Sequence, residues 1–450
     1  MANNKQDKIL NVPNKREQRQ TCLNVAERQA LRPKGSVPNK REQRNVPALR
    51  FPEFTEAWKS VKIGEIGNPY NGLTGKSGAD FGNGYPYITY KSVFDNSKID
   101  ISRVEYVNIT EEELEKHCQN EVKYGDIFFT ISSETPNEVG MASVLLDNIN
   151  NCYLNSFCFG YRLNHITVHL PEFMRFYLRT LSIRRKLFIL AQGSTRFNIS
   201  KNEVMRIGVL LPNPIEQTKI AKFLSLIEDR IATQRKIIEK LESLIKGLNN
   251  TLYKQYGNGI KTSFAELGYS YSGLTGKTAN DFGTGKPFIT YLNVYSNNII
   301  DENAYQYVRI NNGEQQNVVK YGDVLFTLSS ETPEEVGIGS VYLGETDVYL
   351  NSFCFGIHIE NKQLAYSPYL SYFVSSTLFR KFIYPFAQGS TRFNLCKADF
   401  ERAAIMLPSL DKQKRIYAVL SRITMKIEAE KRMLKKYVVQ KQYLLQQMFI

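Results

Sequence analysis

No run of 18 apolar residues occurs in this chain, and its start lacks the pattern of a secretory signal. Neither a membrane span nor export is expected, and the protein reads as soluble and cytoplasmic. Cysteine is scarce: Cys22, Cys118, Cys152, Cys158, Cys354 and Cys396, with no C-x-x-C pair among them. Zinc sites draw on such close ligand pairs, so no metal is expected. Cys158 and Cys354 sit in matching apolar runs and read as buried free thiols. Histidine is scarcer still. His117, His165, His169 and His358 share no repeated motif, which removes the usual acid–base residue of a duplicated catalytic site. Tryptophan occurs once, at Trp58, among 27 Tyr and 26 Phe.

What the chain does have is a second copy of itself, about 200 residues on. Gly72-Leu73-Thr74-Gly75-Lys76 returns as Gly273-Leu274-Thr275-Gly276-Lys277, and SSETPNEVG at 132–140 returns as SSETPEEVG at 329–337. YLNSFCFG at 153–160 and AQGSTRFN at 191–198 return unchanged at 349–356 and 387–394. That period is too long for a solenoid unit and fits a whole domain. Two copies in one chain suggest pseudo-two-fold symmetry, which suits a ligand that is itself two-fold related. Duplex DNA is the commonest such ligand. The net charge is +14, but 12 Lys/Arg against 4 Asp/Glu fall in the first 50 residues, so the body is only mildly basic.

The pattern along the chain gives five segments. Residues 1–46 are polar, with VPNKREQR at 12–19 repeated at 37–44, and read as a disordered basic arm. Residues 47–214 and 257–410 are the two copies. In the first, 87–90, 127–131, 143–146, 153–163 and 207–211 read as strands and 171–191 as one helix. Residues 215–256 and 411–450 read as long helices. Ile220, Leu224, Ile227, Ile231, Gln234, Ile238, Leu241, Ile245, Leu248 and Leu252 step by four and three, an a/d seam with one polar position. The seam recurs as Ile416, Leu420, Ile423, Ile427, Glu430, Leu434 and Tyr437, then breaks at Lys441. An antiparallel pair of these helices would make a rod of about 50 Å. The fold class is α+β: two mixed α/β domains separated by a long antiparallel two-helix coiled coil.

Several motifs resemble catalytic ones and fall short. YNGLTGKS at 70–77 and YSGLTGKT at 271–278 lack the first glycine of a phosphate-binding loop, where Tyr70 and Tyr271 stand. Contact with a nucleic-acid phosphate or base suits Thr74, Lys76, Thr275 and Lys277 better, with a phosphate-handling enzyme as the alternative. FGNG at 81–84 has the wrong spacing for a methyltransferase and precedes a strand. Ser133-Glu134 and Ser330-Glu331 repeat within SSETP. The glutamates could cap a turn, accept from cytosine N4 or act catalytically. Ser194, Thr195, Arg196 and Asn198, with Ser390, Thr391, Arg392 and Asn394, combine hydroxyls, a guanidinium and amides suited to phosphate positioning and base reading, or form a solvated loop. Lys91 against Leu292 marks a divergent position beside these loops.

These residues, in this order, resemble the specificity subunit of a type I restriction-modification system. The resemblance rests on Val46-Pro47-Ala48-Leu49-Arg50-Phe51-Pro52-Glu53-Phe54, on Gly-Asp-Ile/Val-x-Phe-Thr at 125–130 and 322–327, and on Leu211-Pro212-Asn213-Pro214-Ile215-Glu216-Gln217 leading into a helix. It covers 46–450. The second junction departs from it, with Lys412 where the first has Glu216. The resemblance implies a subunit with no catalytic site. Each domain would read one half of a split duplex target, and the helices would hold the halves apart and dock two modification subunits. Those partners would bind S-adenosylmethionine and methylate adenine, and restriction subunits using ATP and Mg would join them. A plain DNA-binding scaffold is the further alternative. Matching loops in the two copies imply half-sites that share bases, a nearly palindromic split target.

Overall fold

The computed structural model describes residues 45–117, 120–256 and 259–450. The expected basic arm, Cys22 and Cys118 therefore lie outside the described residues, apart from the last two positions of the arm. The chain divides into two compact units, Met1–Gln217 with Gln447–Ile450, and Thr218–Gln446.

The first unit opens and closes on one antiparallel pair, Lys59–Lys62 against Gly208–Leu211. Its main sheet is antiparallel, in the order Gly67–Asn71, Cys158–Leu163, Ile127–Thr130, Ala142–Val144. The unbroken apolar run at 127–129 signals a strand covered on both faces. Phe128, Phe129, Phe159 and Tyr161 are fully buried, with Phe129 stacked on Phe159 at 5.0 Å. Before that strand, Gly125 adopts φ +86° and the Asp126 carboxylate accepts the Lys123 N–H at 2.8 Å, closing the expected turn. A second sheet pairs Phe81–Ile88 with Glu105–Val107 and, in parallel, with Tyr153–Leu154. Trp58 anchors a third cluster, edge-on to Phe173 (6.1 Å), Tyr177 (6.4 Å) and Phe449 (6.4 Å).

Two expected elements are each split in the structure. The run 153–163 breaks after Leu154, because Asn155 turns the chain and its Oδ1 accepts the Phe157 N–H at 2.8 Å. The helix expected over 171–191 is two helices, Pro171–Tyr177 and Leu181–Ile189. Between them the Thr180 hydroxyl donates back to the Tyr177 carbonyl, and Arg179 reaches the carbonyls of Ala142, Val93, Phe94 and Asn96. Apolar spacing continued through the break because both helices face the same core.

The second unit repeats the order: Gly268–Ser272, Cys354–Ile359, Val324–Thr327, Gly339–Val341 in the main sheet, and Phe282–Ile289 between Gln306–Val308 and Tyr349–Leu350. Most of the long helix Pro214–Tyr256, and nearly all of Leu410–Gln447, belong to it. Within this unit the two helices run antiparallel. Lys441 pairs with Glu228 (2.6 Å), Arg230 Nε donates to the Tyr437 hydroxyl (3.2 Å), Gln234 bonds Glu430, and Lys431 pairs with Glu242 (3.1 Å). Gln234 and Glu430 hold equivalent places in the repeated seam, so their meeting gives the helix pair a local two-fold relation. Such a polar pair within an apolar seam fixes register.

Of the seam positions, Ile220, Leu224, Ile231, Gln234, Ile238, Ile416, Leu420 and Ile427 are buried, while Ile227, Leu241, Ile423, Glu430 and Leu434 are partly buried. Ile416 and Leu420 enter the domain core, against which Ile245, Leu248 and Leu252 also pack. The seam thus becomes domain core toward that end. The break at Lys441 is explained by its ion pair with Glu228.

The two junctions share one device. Gln217, buried, accepts the Leu170 N–H (2.9 Å) and donates to the Pro212 carbonyl (2.8 Å). Gln413 accepts the Tyr366 N–H (2.8 Å) and donates to the Pro408 carbonyl (2.8 Å). The departure lies beside it. Glu216 is buried under a two-pronged bond from Arg50 (2.7 Å each). Lys412 is exposed and lies 5.2 Å over the Tyr256 ring.

Candidate nucleic-acid interface

In the first unit, strand Phe197–Asn198 pairs with Ser132–Ser133, so the QGSTRFN and SSETP motifs form one edge. The Tyr90 hydroxyl donates to the Ser132 carbonyl at 2.7 Å. Ile131 N–H donates to the Phe157 carbonyl at 2.8 Å, and Ile199 N–H to the Ile131 carbonyl at 2.9 Å. Leu73 bridges to Asn155, its N–H bonding the Leu154 carbonyl at 2.7 Å, and Lys201 donates to Asn71 Oδ1 at 2.8 Å. Loops 71–76, 131–135, 155–157 and 192–198 therefore share one face. The second unit builds the same face: Ser329–Ser330 pairs with Phe393–Leu395, Leu328 N–H donates to Phe353, and Leu274 N–H donates to Leu350.

The tip of that face is a rigid turn. Gly193 and Gly389 have φ of +135° and +140°, and a Cβ at either would stand 2.1 Å from the carbonyl oxygen of Arg196 or Arg392. Only glycine closes such a turn. It leaves Ser194, Thr195, Arg196 and Asn198, and likewise Ser390, Thr391, Arg392 and Asn394, exposed in a row. Thr74, Lys91, Glu134, Thr275 and Glu331 are exposed as well.

Four of the expected contact residues are placed otherwise. Lys76 is an ion-pair partner of Glu113 with its side chain 7% exposed. Lys277 is 6% exposed, bonding Glu314 and the Arg309 carbonyl at 2.6 Å. These ammonium groups pin the glycine loop from behind, and their partners compensate the charge that a phosphate would need. Ser133 and Ser330 are buried, and each hydroxyl donates to the glutamate five positions on, Glu138 or Glu335, at 3.1 Å.

Three further features were not singled out from sequence. Arg184 donates to the carbonyls of Gly140, Asn137 and Val139, and Arg380 to those of Gly337, Glu334 and Val336, so a guanidinium holds each SSETP loop in shape. Burial lowers Arg184 to about 10, which leaves it charged. Phe157 and Phe353 are 55% and 52% exposed, with Arg196 and Arg392 each 5.8 Å over the ring. Finally, buried Asp126 accepts from Tyr70 (2.7 Å) and from Arg162 (2.6 and 2.9 Å), while buried Asp323 bonds Tyr271 (2.5 Å) and His358 (2.6 Å). All three recur at equivalent positions, so aligning the copies residue by residue would have exposed them.

As expected, Cys158 and Cys354 are buried free thiols, and burial raises both well above the usual thiol range. Among the described residues no helix is long and apolar enough to cross a membrane.

Comparison with known proteins agrees with this architecture. The sequence model of the type I restriction modification DNA specificity domain matches twice, at residues 55–243 and 272–436. A protein of Methanocaldococcus jannaschii assigned as the specificity subunit of the type I restriction enzyme MjaX is 24% identical over 424 residues, 84% of this chain and 92% of that one. The crystal structure of the S subunit of a type I restriction-modification system from M. genitalium superposes with a TM-score of 0.51 at 14% identity, covering 90% of this chain and 99% of that one. A chain solved in work on complex assembly and conformational transition of the type I R-M system gives 0.52 at 16% identity, over 86% and 96%. The two solved structures share the fold, and the doubled match covers most of the chain: the protein belongs to the type I restriction-modification specificity-subunit family, whose members are not themselves catalytic.

Proposed function

We propose that each of the two globular copies reads one half of a split duplex DNA target, and that the antiparallel helix pair docks two modification subunits. The observation that carries this reading is the repeated face: one glycine-closed turn, in two copies, displaying hydroxyls, an amide and a guanidinium suited to phosphate and base contacts. Thr74, Glu134, Ser194, Thr195, Arg196 and Asn198 are the contact residues of the first copy, joined by Lys91. Thr275, Glu331, Ser390, Thr391, Arg392 and Asn394 serve in the second. Chemistry belongs to the partners: modification subunits binding S-adenosylmethionine, and restriction subunits using ATP and Mg, in the cytoplasm where the DNA is. The reading as a phosphate-handling enzyme is disfavoured, because both loop lysines are internal ion-pair partners.

Sequencing adenine methylation in cells with and without this gene tests the proposal. A two-part motif that vanishes with the gene supports it. A single continuous motif, or none, refutes it.

A further inference from the structure

Two large apolar side chains stand on an otherwise polar face, in the same place in both copies. Phe157 and Phe353 are each more than half exposed, yet their backbones are fixed on both sides. The Phe157 N–H donates to Asn155 Oδ1 (2.8 Å) and its carbonyl accepts from Ile131 (2.8 Å). The Phe353 N–H donates to Asn351 Oδ1 (2.9 Å) and its carbonyl accepts from Leu328 (2.9 Å). Neither ring is buried in a core: each is more than half exposed, with one face toward the guanidinium of Arg196 or Arg392. Holding an aromatic ring in water is unfavourable, and two copies of a fold have no packing reason to do so at the same position. A partner that covers the ring supplies the reason.

We propose that Phe157 and Phe353 are specificity-determining residues, each making apolar contact with a thymine methyl group in the major groove, beside a base pair read by Arg196 or Arg392. This rests on the DNA-reading function proposed above and extends it to a base. The chemistry selects the ligand. A guanidinium donates best to guanine O6 and N7, and an adjacent apolar edge matches the one apolar group that a major groove displays, the thymine C5 methyl. The residues are identical in the two copies, so each half-site carries such a thymine.

The test uses the full chain co-purified with its modification subunits and a duplex bearing the motif found by methylation sequencing. Each thymine is replaced in turn by deoxyuridine, which removes the methyl alone. One position in each half-site should weaken binding by about fourfold, the effect of one buried methyl group. Phe157→Ala should weaken binding and abolish the deoxyuridine effect in one half-site, and Phe353→Ala in the other. Both rings lie outside the core, and unchanged thermal unfolding of the variants, with Phe157→Leu and Phe353→Leu retaining part of the affinity, separates contact loss from misfolding. The inference is overturned if no thymine is sensitive, or if the alanine variants keep the deoxyuridine effect. It is also overturned if they weaken binding with no methyl dependence, the signature of a ring wedged between base pairs. If the wild-type complex does not bind the motif at all, the DNA-reading proposal itself falls.

Discussion

The two copies agree along one exposed turn and differ at particular buried positions. The buried carboxylate Asp126 is met by a guanidinium, Arg162, whereas its counterpart Asp323 is met by an imidazole, His358. Tyr87 becomes Phe288 and so loses the hydroxyl that accepts from Asn155 at 2.6 Å. Yet the exposed turn Gln192–Asn198 and its copy are identical, residue for residue. Domains that read unrelated sequences would be expected to keep their cores and vary their contact loops. Here two buried sites are satisfied differently in the two copies while the exposed turn stayed fixed. That contrast argues that the face is constrained by a shared ligand feature and the interior only by the need to pair its polar groups.

The largest effect should come from the place where each copy is closed by a residue from a helix end. Phe449 packs on Tyr177 (5.8 Å, stacked) and Phe173 (5.5 Å) in the first unit, and Tyr253 packs on Phe373 (5.5 Å) in the second. Phe449→Ala should destabilise the first unit by about 3–5 kcal/mol, the usual cost of emptying a buried aromatic site. Trp58 is the only tryptophan and lies beside Phe449, so its fluorescence during urea unfolding reports that unit. Tyr253→Ala should leave the Trp58 transition in place and shift a second one, seen by far-UV circular dichroism. A Trp58 transition unmoved by Phe449→Ala would break the equivalence.

The carboxylate nodes should respond next, and unequally. Arg162→Ala leaves the buried Asp126 with Tyr70 and the Lys123 N–H but without its counter-charge, at a cost of about 3 kcal/mol. His358→Ala removes one hydrogen bond to Asp323, which Tyr271 and the Lys320 N–H still hold, at a cost of about 1–2 kcal/mol. The same urea experiment separates them, and equal losses would show that the guanidinium and the imidazole do the same work.

A smaller change tests the outside. Lys91 and Leu292 are exposed at equivalent positions beside the matched faces, and they differ. Half-sites should share bases where the face residues match and differ near this position. Exchanging Lys91→Leu and Leu292→Lys should change base preference by about 1–3 kcal/mol at one position per half-site, read as a changed methylation motif. Halves that share no bases would show that the identical turns are scaffold and the divergent segments do the reading.

Much of this was legible because repetition supplies what a single sequence lacks, a comparison. The seam at 220–252 and the turn at 123–126 follow from local spacing, and the structure shows both. The split of 171–191 was not legible, since one continuous apolar stripe serves two helices whose break depends on Arg179 reaching carbonyls far away in sequence. The orientation of Lys76 was not legible either. A lysine after two glycines looks free to meet a phosphate, and only the fold brings Glu113 to it. The phenylalanines were passed over because they lie in an apolar run, and the turn at Asn155 that brings Phe157 out is invisible to periodicity.

The smallest predicted effect concerns the clamps behind the glycine loops. Glu113 is held below the usual carboxylate range by its bond from Lys76 and then by the Thr110 N–H. Glu314 goes further, down to about 2, because Lys277 and the Asn311 N–H are joined by a bond from Gln316 (2.7 Å). At the position matching Gln316 the first copy has Glu115. A depressed carboxyl contributes stability that is present above its unfolded value, near 4.5, and is lost as pH falls through the folded one. The first clamp should therefore open at higher pH than the second, which should hold until about pH 2. Carboxyl carbon shifts of Glu113 and Glu314 during acid titration measure this directly. Gln316→Glu should bring the second clamp toward the first, and if the two carboxyls titrate together in the wild-type chain, the extra bond from Gln316 contributes nothing to the difference between the copies.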